Sequence, residues 1–394
     1  MTDRAATPRF VPWPDSISRP LVSPIQPAAV YVAESPDMLD AQYEGRTSGY
    51  TYAREGHPNA DVLARQIDAL EGVEGGWICG SGMAAISAVL LGCLKSGDHV
   101  IGGDQLYGRT LRLMTDELPR FGIETSLGDT TDADAVAQAL RPNTKMMVIE
   151  VVSNPTIRLA DVVALAALTK ERGITLVVDN TFTTPRSFRP ADWGADIVVH
   201  SVTKILAGHS DATLGYFAAR DPDLQTALIA RSVTMGLTPS AFDCWLAERG
   251  LMSFPLRFDR SEQNAERLAT ALAEMPGVRR VLYPTRQDHP DHNRTGALLG
   301  QRGGHMLSFE IEGGRAAANR LTKAGATIAF APTLGDIGTT LSHPASSSHR
   351  GLSAEGREKL GISEGFFRVS VGVEDPDALI AEFAHAVAAS QSEV

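Results

Sequence analysis

Cysteine is scarce in this chain: Cys79, Cys93 and Cys244 are three residues in 394. An odd, sparse count without CxxC spacing excludes a disulfide framework and gives no zinc pattern. Cys93 lies in the apolar stretch VLLGCL and reads as a buried thiol. Long apolar runs are missing as well. Nothing approaches the roughly 20 apolar residues that a membrane-spanning helix needs. The start, MTDRAATPRFVPWPDSISRP, has no apolar core of a secretory signal. The expectation is a cytoplasmic protein without a membrane partner. Positive charge is outweighed too, since 36 Lys and Arg face 47 Asp and Glu for a net charge of -11. Such a field disfavours nucleic acid as a partner, and an anionic substrate then needs a local basic pocket.

What is present suits a soluble globular protein: 43% hydrophobic and 21% charged residues, in a chain long enough for two domains. Residues 1–60 are rich in Pro, Ser, Tyr and Gly and read as an irregular arm that packs on something, such as another subunit. From NADVLARQIDALEG the period becomes helical, with Val62, Leu63, Ile67 and Leu70 on one face and Gly72 as the stop. In WICGSGMAAISAVLLGCL a turn with Gly80 and Gly82 opens an apolar helix from Met83. HVIGG (99–103), MMVIEVV (146–152), ITLVVDN (174–180) and DIVVH (196–200) are short β-branched runs typical of buried parallel strands. Between the second and third lies a helix framed by Asp161 and Gly173.

Strand, helix, strand in that order predicts an α/β domain with a mostly parallel sheet. Near 250–260 a long helix, SFPLRFDRSEQNAERLATALAEM, leads into a smaller α+β domain. Its strands include GHMLSFEIEGG and FFRVSVGVE, and DPDALIAEFAHAVAAS ends it. The expected boundaries are an arm over 1–60, an α/β domain over 61–255 and a C-terminal domain over 256–394.

In such a sheet functional residues collect at the carboxyl ends of strands. Those ends carry Asn154, Asp179 and Ser201-Val202-Thr203-Lys204. Taken singly, each has an ordinary reading: Asp179 a cap, Asn154 a turn residue before Pro155, the hydroxyls loop residues. Together they fit one cofactor. A lysine amine condenses with an aldehyde, a carboxylate keeps a pyridine nitrogen protonated, and hydroxyls with helix-start amides hold a phosphate. Lys204, Asp179 and the set Ser201, Thr203, Gly82 and Met83 answer that description for pyridoxal phosphate.

The segments LEGVEGGWICGSGMAAI, VVDNTFTTP, HSVTKILAGHSD and FFRVSVGVED resemble the pyridoxal-phosphate-dependent enzymes of cysteine and methionine metabolism. That family includes cystathionine and methionine γ-lyases, cystathionine β-lyase, cystathionine γ-synthase and O-acylhomoserine sulfhydrylases. The resemblance runs from about Tyr50 to about Ala384. It implies the aspartate-aminotransferase-like fold (fold type I) and a homotetramer. It also implies Lys204 as the Schiff-base lysine and proton carrier, with Asp179 at the ring nitrogen. Asn154 also belongs to the cofactor's surroundings. Tyr107 in LYGRT would stack on the cofactor and exchange a proton. Tyr52 and Arg54 in YTYAREG would reach the phosphate of a neighbouring subunit, and Arg368 would clamp the substrate's α-carboxylate. Their bland readings are a core tyrosine for Tyr107 and a surface arginine for Arg54.

Within the family the signals divide. TLGDIGTTLSHPASSSH (333–349) resembles the SLGDAESLxxHPASMTH segment of methionine γ-lyases, with Gly338 where cystathionine γ-lyases commonly carry glutamate. Arg109 stands where methionine γ-lyases have the cysteine of LYGCT. It faces either a distal carboxylate of the substrate or an acidic neighbour and solvent. LPRFGIE (118–124) resembles the sulfhydrylases. The expected reaction is γ-elimination on cystathionine- or methionine-like substrates, with cystathionine β-lyase or γ-replacement as alternatives. A dinucleotide-binding protein is disfavoured because CGSGMAA lacks GxGxxG spacing. A non-catalytic regulator would be expected to lose Lys204 or Asp179, and the lysine loop fits this family better than an aminotransferase.

Overall fold

The computed structural model describes residues 16–392, and the four β-branched runs form the middle of its larger sheet. Its strands are β1 (Trp77–Cys79), β2 (His99–Gly103), β3 (Glu124–Gly128), β4 (Thr144–Glu150), β5 (Thr175–Asp179), β6 (Ile197–His200) and β7 (Gly215–Ala219). They lie in the order β1-β7-β6-β5-β4-β2-β3. Strands β3, β2, β4, β5 and β6 are parallel, whereas β7 is antiparallel to both β6 and β1. Buried on both faces, β5 and β6 carry continuous apolar runs rather than an alternating pattern.

Two antiparallel steps turn β1 back to the direction of β6. The carboxyl ends of β1, β2, β4, β5 and β6 therefore open on one edge of the sheet. Strand order reverses between β2 and β4, where an open α/β sheet leaves a crevice.

Helix boundaries follow the local chemistry. The helix Pro58–Glu71 buries Leu63 and Ile67 completely and stops at Gly72, whose φ of 72° suits glycine. Val62 and Leu70 are only half-buried, and Ala60 and Ala64 complete the inner face. Asp161 caps the helix Val162–Arg172 by accepting from Ala164 N–H at 3.2 Å, and Gly173 ends it in the left-handed region. The apolar helix expected from Met83 begins one residue earlier, as Gly82–Cys93. The arm is less irregular than its composition implies. Ser35 caps a helix Pro36–Tyr43 within it, and the next helix already starts at Pro58. Residues 1–15 of that segment lie outside the described residues.

The second sheet holds β8 (Val278–Leu282), β9 (Met306–Ile311), β10 (Ala329–Phe330), β11 (Thr340–Ser342) and β12 (Phe366–Ser370), in the order β10-β11-β12-β9-β8. It packs on the helices Phe254–Ala273 and Pro376–Gln391 around Leu268, Phe309, Phe367 and Phe383. Burying each of these side chains contributes roughly 1.5–3 kcal/mol. A further cluster, including Ile149, Leu176, Leu282 and Phe366, joins the two sheets. Through that contact β12 is brought to the carboxyl edge of the larger sheet. Among the described residues no helix is long and apolar enough to cross a membrane.

Candidate active site

Asp179 is the last residue of β5. Its carboxylate accepts from Thr181 twice, from the backbone N–H at 3.0 Å and from the hydroxyl at 2.6 Å. Directly beside it, in register, Glu150 ends β4. Glu150 accepts from the Tyr107 N–H at 2.7 Å and so ties down the loop that follows β2. Burial raises the pKa of both carboxyls, and the charge of Asp179 pushes Glu150 further, well above the usual range. The Thr181 donors offset part of the effect at Asp179. The negative charge therefore rests on Asp179.

Beyond β6 the chain enters the turn Ser201–Lys204, where Lys204 N–H donates to Ser201 O at 3.1 Å. Thr203 Oγ1 donates to Leu214 O at 3.1 Å and accepts from Leu214 N–H at 2.9 Å, which locks this turn to the next strand. Lys204 Nζ points toward Thr333 Oγ1 at 3.5 Å. Burial, and then the Arg368 guanidinium, hold its ammonium below the ordinary lysine pKa.

After β1, Ser81 caps the helix Gly82–Cys93 by accepting from Ala84 N–H at 3.0 Å. The first amides of such a helix have no intrahelical acceptor and carry the positive end of its dipole. A Cβ on Gly82 would lie 2.6 Å from Ser201 Cβ, so only glycine lets this helix start approach the Ser201 turn. Backbone N–H groups and hydroxyls thus meet in a seat for an anion.

Arg368 arrives from β12. Its Nη1 donates to Asn154 Oδ1 and its Nη2 to Thr333 O, both at 2.7 Å. Its Nε is buried with no partner among the described residues. Burial lowers the pKa of the guanidinium to about 10.

These elements enclose a cavity of about 280 Å³. Of the residues expected from sequence it brings together Lys204, Asp179, Ser201, Thr203, Gly82, Met83, Tyr107, Asn154 and Arg368. Tyr52, Arg54 and Arg109 do not line it. Tyr52 is 42% exposed, with the Arg54 guanidinium 5.2 Å from its ring centroid. Arg109 is exposed on the short helix Gly108–Arg112.

The sequence reading missed Glu150, Thr181, Thr333 and Ser81, all on the cavity wall. Glu150 had a signal, a lone acid at the end of an apolar strand. Thr333 opens the segment 333–349, but nothing in it pointed to Lys204, 129 residues away. The donor set suits pyridoxal phosphate: an anion seat, a carboxylate for a ring nitrogen, an amine for an aldehyde and the partly exposed Tyr107 ring. Arg368, with its Nε unpartnered among the described residues, remains as a cation on the cavity wall for a second, carboxylate-bearing molecule.

Similarity to known proteins agrees with this chemistry. The chain is 42% identical over 338 residues to a cystathionine beta-lyase of Bacillus subtilis (strain 168), covering 86% of each protein. It is 35% identical to an L-methionine gamma-lyase of Porphyromonas gingivalis, across 93% of this chain and 92% of that one. The crystal structure of cystathionine gamma synthase from Xanthomonas oryzae pv. oryzae in complex with cystathionine superposes with a TM-score of 0.88 at 34% identity. That match covers 94% of this chain and 93% of the other. The fold is accordingly the fold type I architecture of pyridoxal-phosphate-dependent transferases. The profile of the Cys/Met metabolism PLP-dependent enzymes matches residues 14–388, and the chain belongs to that family.

Proposed function

We propose that this enzyme of sulfur amino-acid metabolism is a carbon–sulfur lyase performing γ-elimination on cystathionine- or methionine-like amino acids. The observation that carries the reading is one cavity whose wall holds both Lys204 and Arg368, a guanidinium whose Nε has no partner among the described residues. Pyridoxal phosphate, when bound, supplies a sink for the electrons left on Cα as its proton leaves. The Gly82 and Met83 amides with the Ser201 hydroxyl would hold its phosphate, and Thr203 would join them by turning its one proton away from Leu214 O. Asp179 would keep the ring nitrogen protonated, and Tyr107 would lie against the ring and exchange a proton. Asn154 orients Arg368 and adjoins the cofactor.

Arg368 holds the substrate α-carboxylate through its unspent donors. Lys204 Nζ, eased toward its neutral form by burial, takes the Cα proton as general base. Leaving from Cγ requires a second proton to come off Cβ, and the flexible stem of Lys204 lets one amine do both. Tyr52 and Arg54 complete the phosphate seat of a neighbouring subunit in a cytoplasmic homotetramer. Arg109 pairs with a distal charge of the substrate. If Arg109→Ala left KM for a dicarboxylic substrate unchanged, that role would be withdrawn. We assign residues 1–60 to the arm, 61–255 to the cofactor domain and 256–394 to the C-terminal domain.

The test is to incubate the cofactor-loaded protein with L-cystathionine and identify the keto acid by mass spectrometry. 2-Oxobutyrate supports γ-elimination. Pyruvate selects β-elimination, the reading that the 42% identity with a β-lyase favours. If neither acid forms, cystathionine is not the substrate, and O-acylhomoserines with a thiol, then methionine, are tested next.

A further inference from the structure

Arg257, near the start of the helix Phe254–Ala273, is a buried cation whose hydrogen bonds all go to uncharged oxygens. It is 5% exposed. Its Nε donates to Ser253 Oγ at 3.1 Å and its Nη1 to Ile205 O at 2.8 Å. Its Nη2 donates to Leu206 O at 3.0 Å and to Gly250 O at 2.9 Å. Two of these acceptors are the carbonyls of the residues that directly follow Lys204. Burial brings the guanidinium down to about 10, offset only by the charge of Asp336. A buried charge without a hydrogen-bonded counter-ion is costly, so its hydrogen bonds must answer a specific demand.

The demand is visible around the same stretch of chain. A Cβ on Gly208, whose φ is +77°, would fall 1.9 Å from Arg257 Nη1. One on Gly250 would fall 2.1 Å from Ala207 O, and one on Gly335 2.3 Å from Ile205 N. Residues 204–208 thus run through a slot whose walls are glycine backbone and whose end is the guanidinium. The turn itself is closed by Ala207 N–H on Val202 O at 3.0 Å and Gly208 N–H on Lys204 O at 2.8 Å. Gly208 O in turn accepts from Ile337 N–H at 2.8 Å. A planar fork can engage the Ile205, Leu206 and Gly250 carbonyls together, which a single ammonium cannot match in direction.

We propose that Arg257 is the positioning residue for Lys204: it fixes the backbone that carries the lysine and thereby the direction of its amine. The inference rests on the reading of Lys204 as the cofactor-bearing amine.

The test uses the full chain with Arg257→Lys and Arg257→Met. Two readouts are followed: hydrogen exchange over residues 202–210 in the cofactor-free protein, and the affinity and pH midpoint of the bound cofactor's visible absorbance. Exchange at Ala207 and Gly208 should accelerate by about tenfold or more while Val177 and Val178 in β5 stay protected. Cofactor affinity should fall by about tenfold in the Lys variant and further in the Met variant, with a displaced midpoint. KM for substrate should stay near wild type, because Arg368 is untouched.

A folded Lys variant with wild-type exchange at 207–208 overturns the proposal. So does a loosened loop with unchanged affinity and midpoint. Should the Met variant fail to fold, the Lys variant decides. A Lys204→Ala protein that still bound the cofactor covalently would refute the reading of Lys204 itself and leave the exchange result standing.

Discussion

Glu150 and Asp179 stand side by side in register at the carboxyl ends of β4 and β5, two carboxyls in one cavity with unequal shares of donors. Asp179 accepts two hydrogen bonds from Thr181, and Glu150 accepts one from the Tyr107 amide. Like charges this close do not ionise together at low cost. The pair therefore sorts into one anion, Asp179, and one acid that keeps its proton, Glu150. The arrangement leaves one negative charge at this wall of the cavity without a second beside it.

Glu150→Gln separates the charge of that acid from its hydrogen bond, because the amide oxygen can still accept from Tyr107 N–H. Folded Glu150 holds its proton more tightly than the unfolded chain does. Its contribution to stability is full below the unfolded pKa and lost as pH rises through the folded one. The glutamine has no such loss. The melting temperature of the cofactor-free variant, relative to wild type, should therefore climb as pH rises above the ordinary glutamate range. A difference that stayed flat above that range would refute the assignment. Glu150→Ala, which also strands the amide, should lose roughly 1–3 kcal/mol of stability.

Lys204→Met removes an ammonium that burial and Arg368 disfavour. A lowered folded pKa means that the charged lysine costs stability below that pKa, and the cost vanishes as pH approaches the unfolded lysine value. The cofactor-free Met variant should therefore melt above wild type near neutrality, with the gap closing in alkaline buffer. Its turnover should fall roughly a hundred- to ten-thousandfold. Borohydride treatment should leave no cofactor mass on the protein. A gap that widened with pH would contradict the burial argument.

The parallel centre of the fold was legible because its strands are buried on both faces and therefore apolar without interruption. His99–Gly103 falls on the expected residues, and β5 and β6 lie within their expected runs. Strands β1, β3 and β7 escaped for physical reasons. Trp77–Cys79 is three residues long between glycines. Glu124–Gly128 is an edge strand with no fully buried residue. Gly215–Ala219 owes its extended form to the pairing of Tyr216 and Phe217 with β6 and β1 rather than to β-branching. In the site, Lys204 and Asp179 announced themselves by standing at strand ends. Thr333 and Arg257 did not, because their roles consist of contacts with the distant lysine turn.

Arg368→Lys tests the fork. Arg368 spends one N–H of Nη1 on Asn154 and one of Nη2 on Thr333, and its Nε has no partner among the described residues. A lysine cannot hold both partners and still present a donor in the plane of a carboxylate. We expect kcat/KM for the amino-acid substrate to drop about a hundredfold, or about 2.7 kcal/mol, mostly through KM. Cofactor affinity should change little. An equal loss for a substrate analogue lacking the α-carboxylate would show that Arg368 acts on something else.

Tyr52 and Arg54 lie outside the cavity of their own chain, and their proposed role across a subunit interface makes a quantitative prediction. Lys204→Ala lacks the amine, and Arg54→Ala lacks the arm's cation. Each alone should be impaired, in activity or in cofactor affinity. When the two are co-expressed and assort at random, half of the dimers are mixed. In each mixed dimer one of the two sites has Lys204 from one protomer and Arg54 from the other. About a quarter of all sites are then intact, so activity should return to about a quarter of wild type. Sites built from a single chain would give no such return, since the mixture would hold one Lys204-deficient and one Arg54-deficient site per mixed dimer. The recovered fraction therefore separates a shared site from a self-contained one without a structure of the assembly.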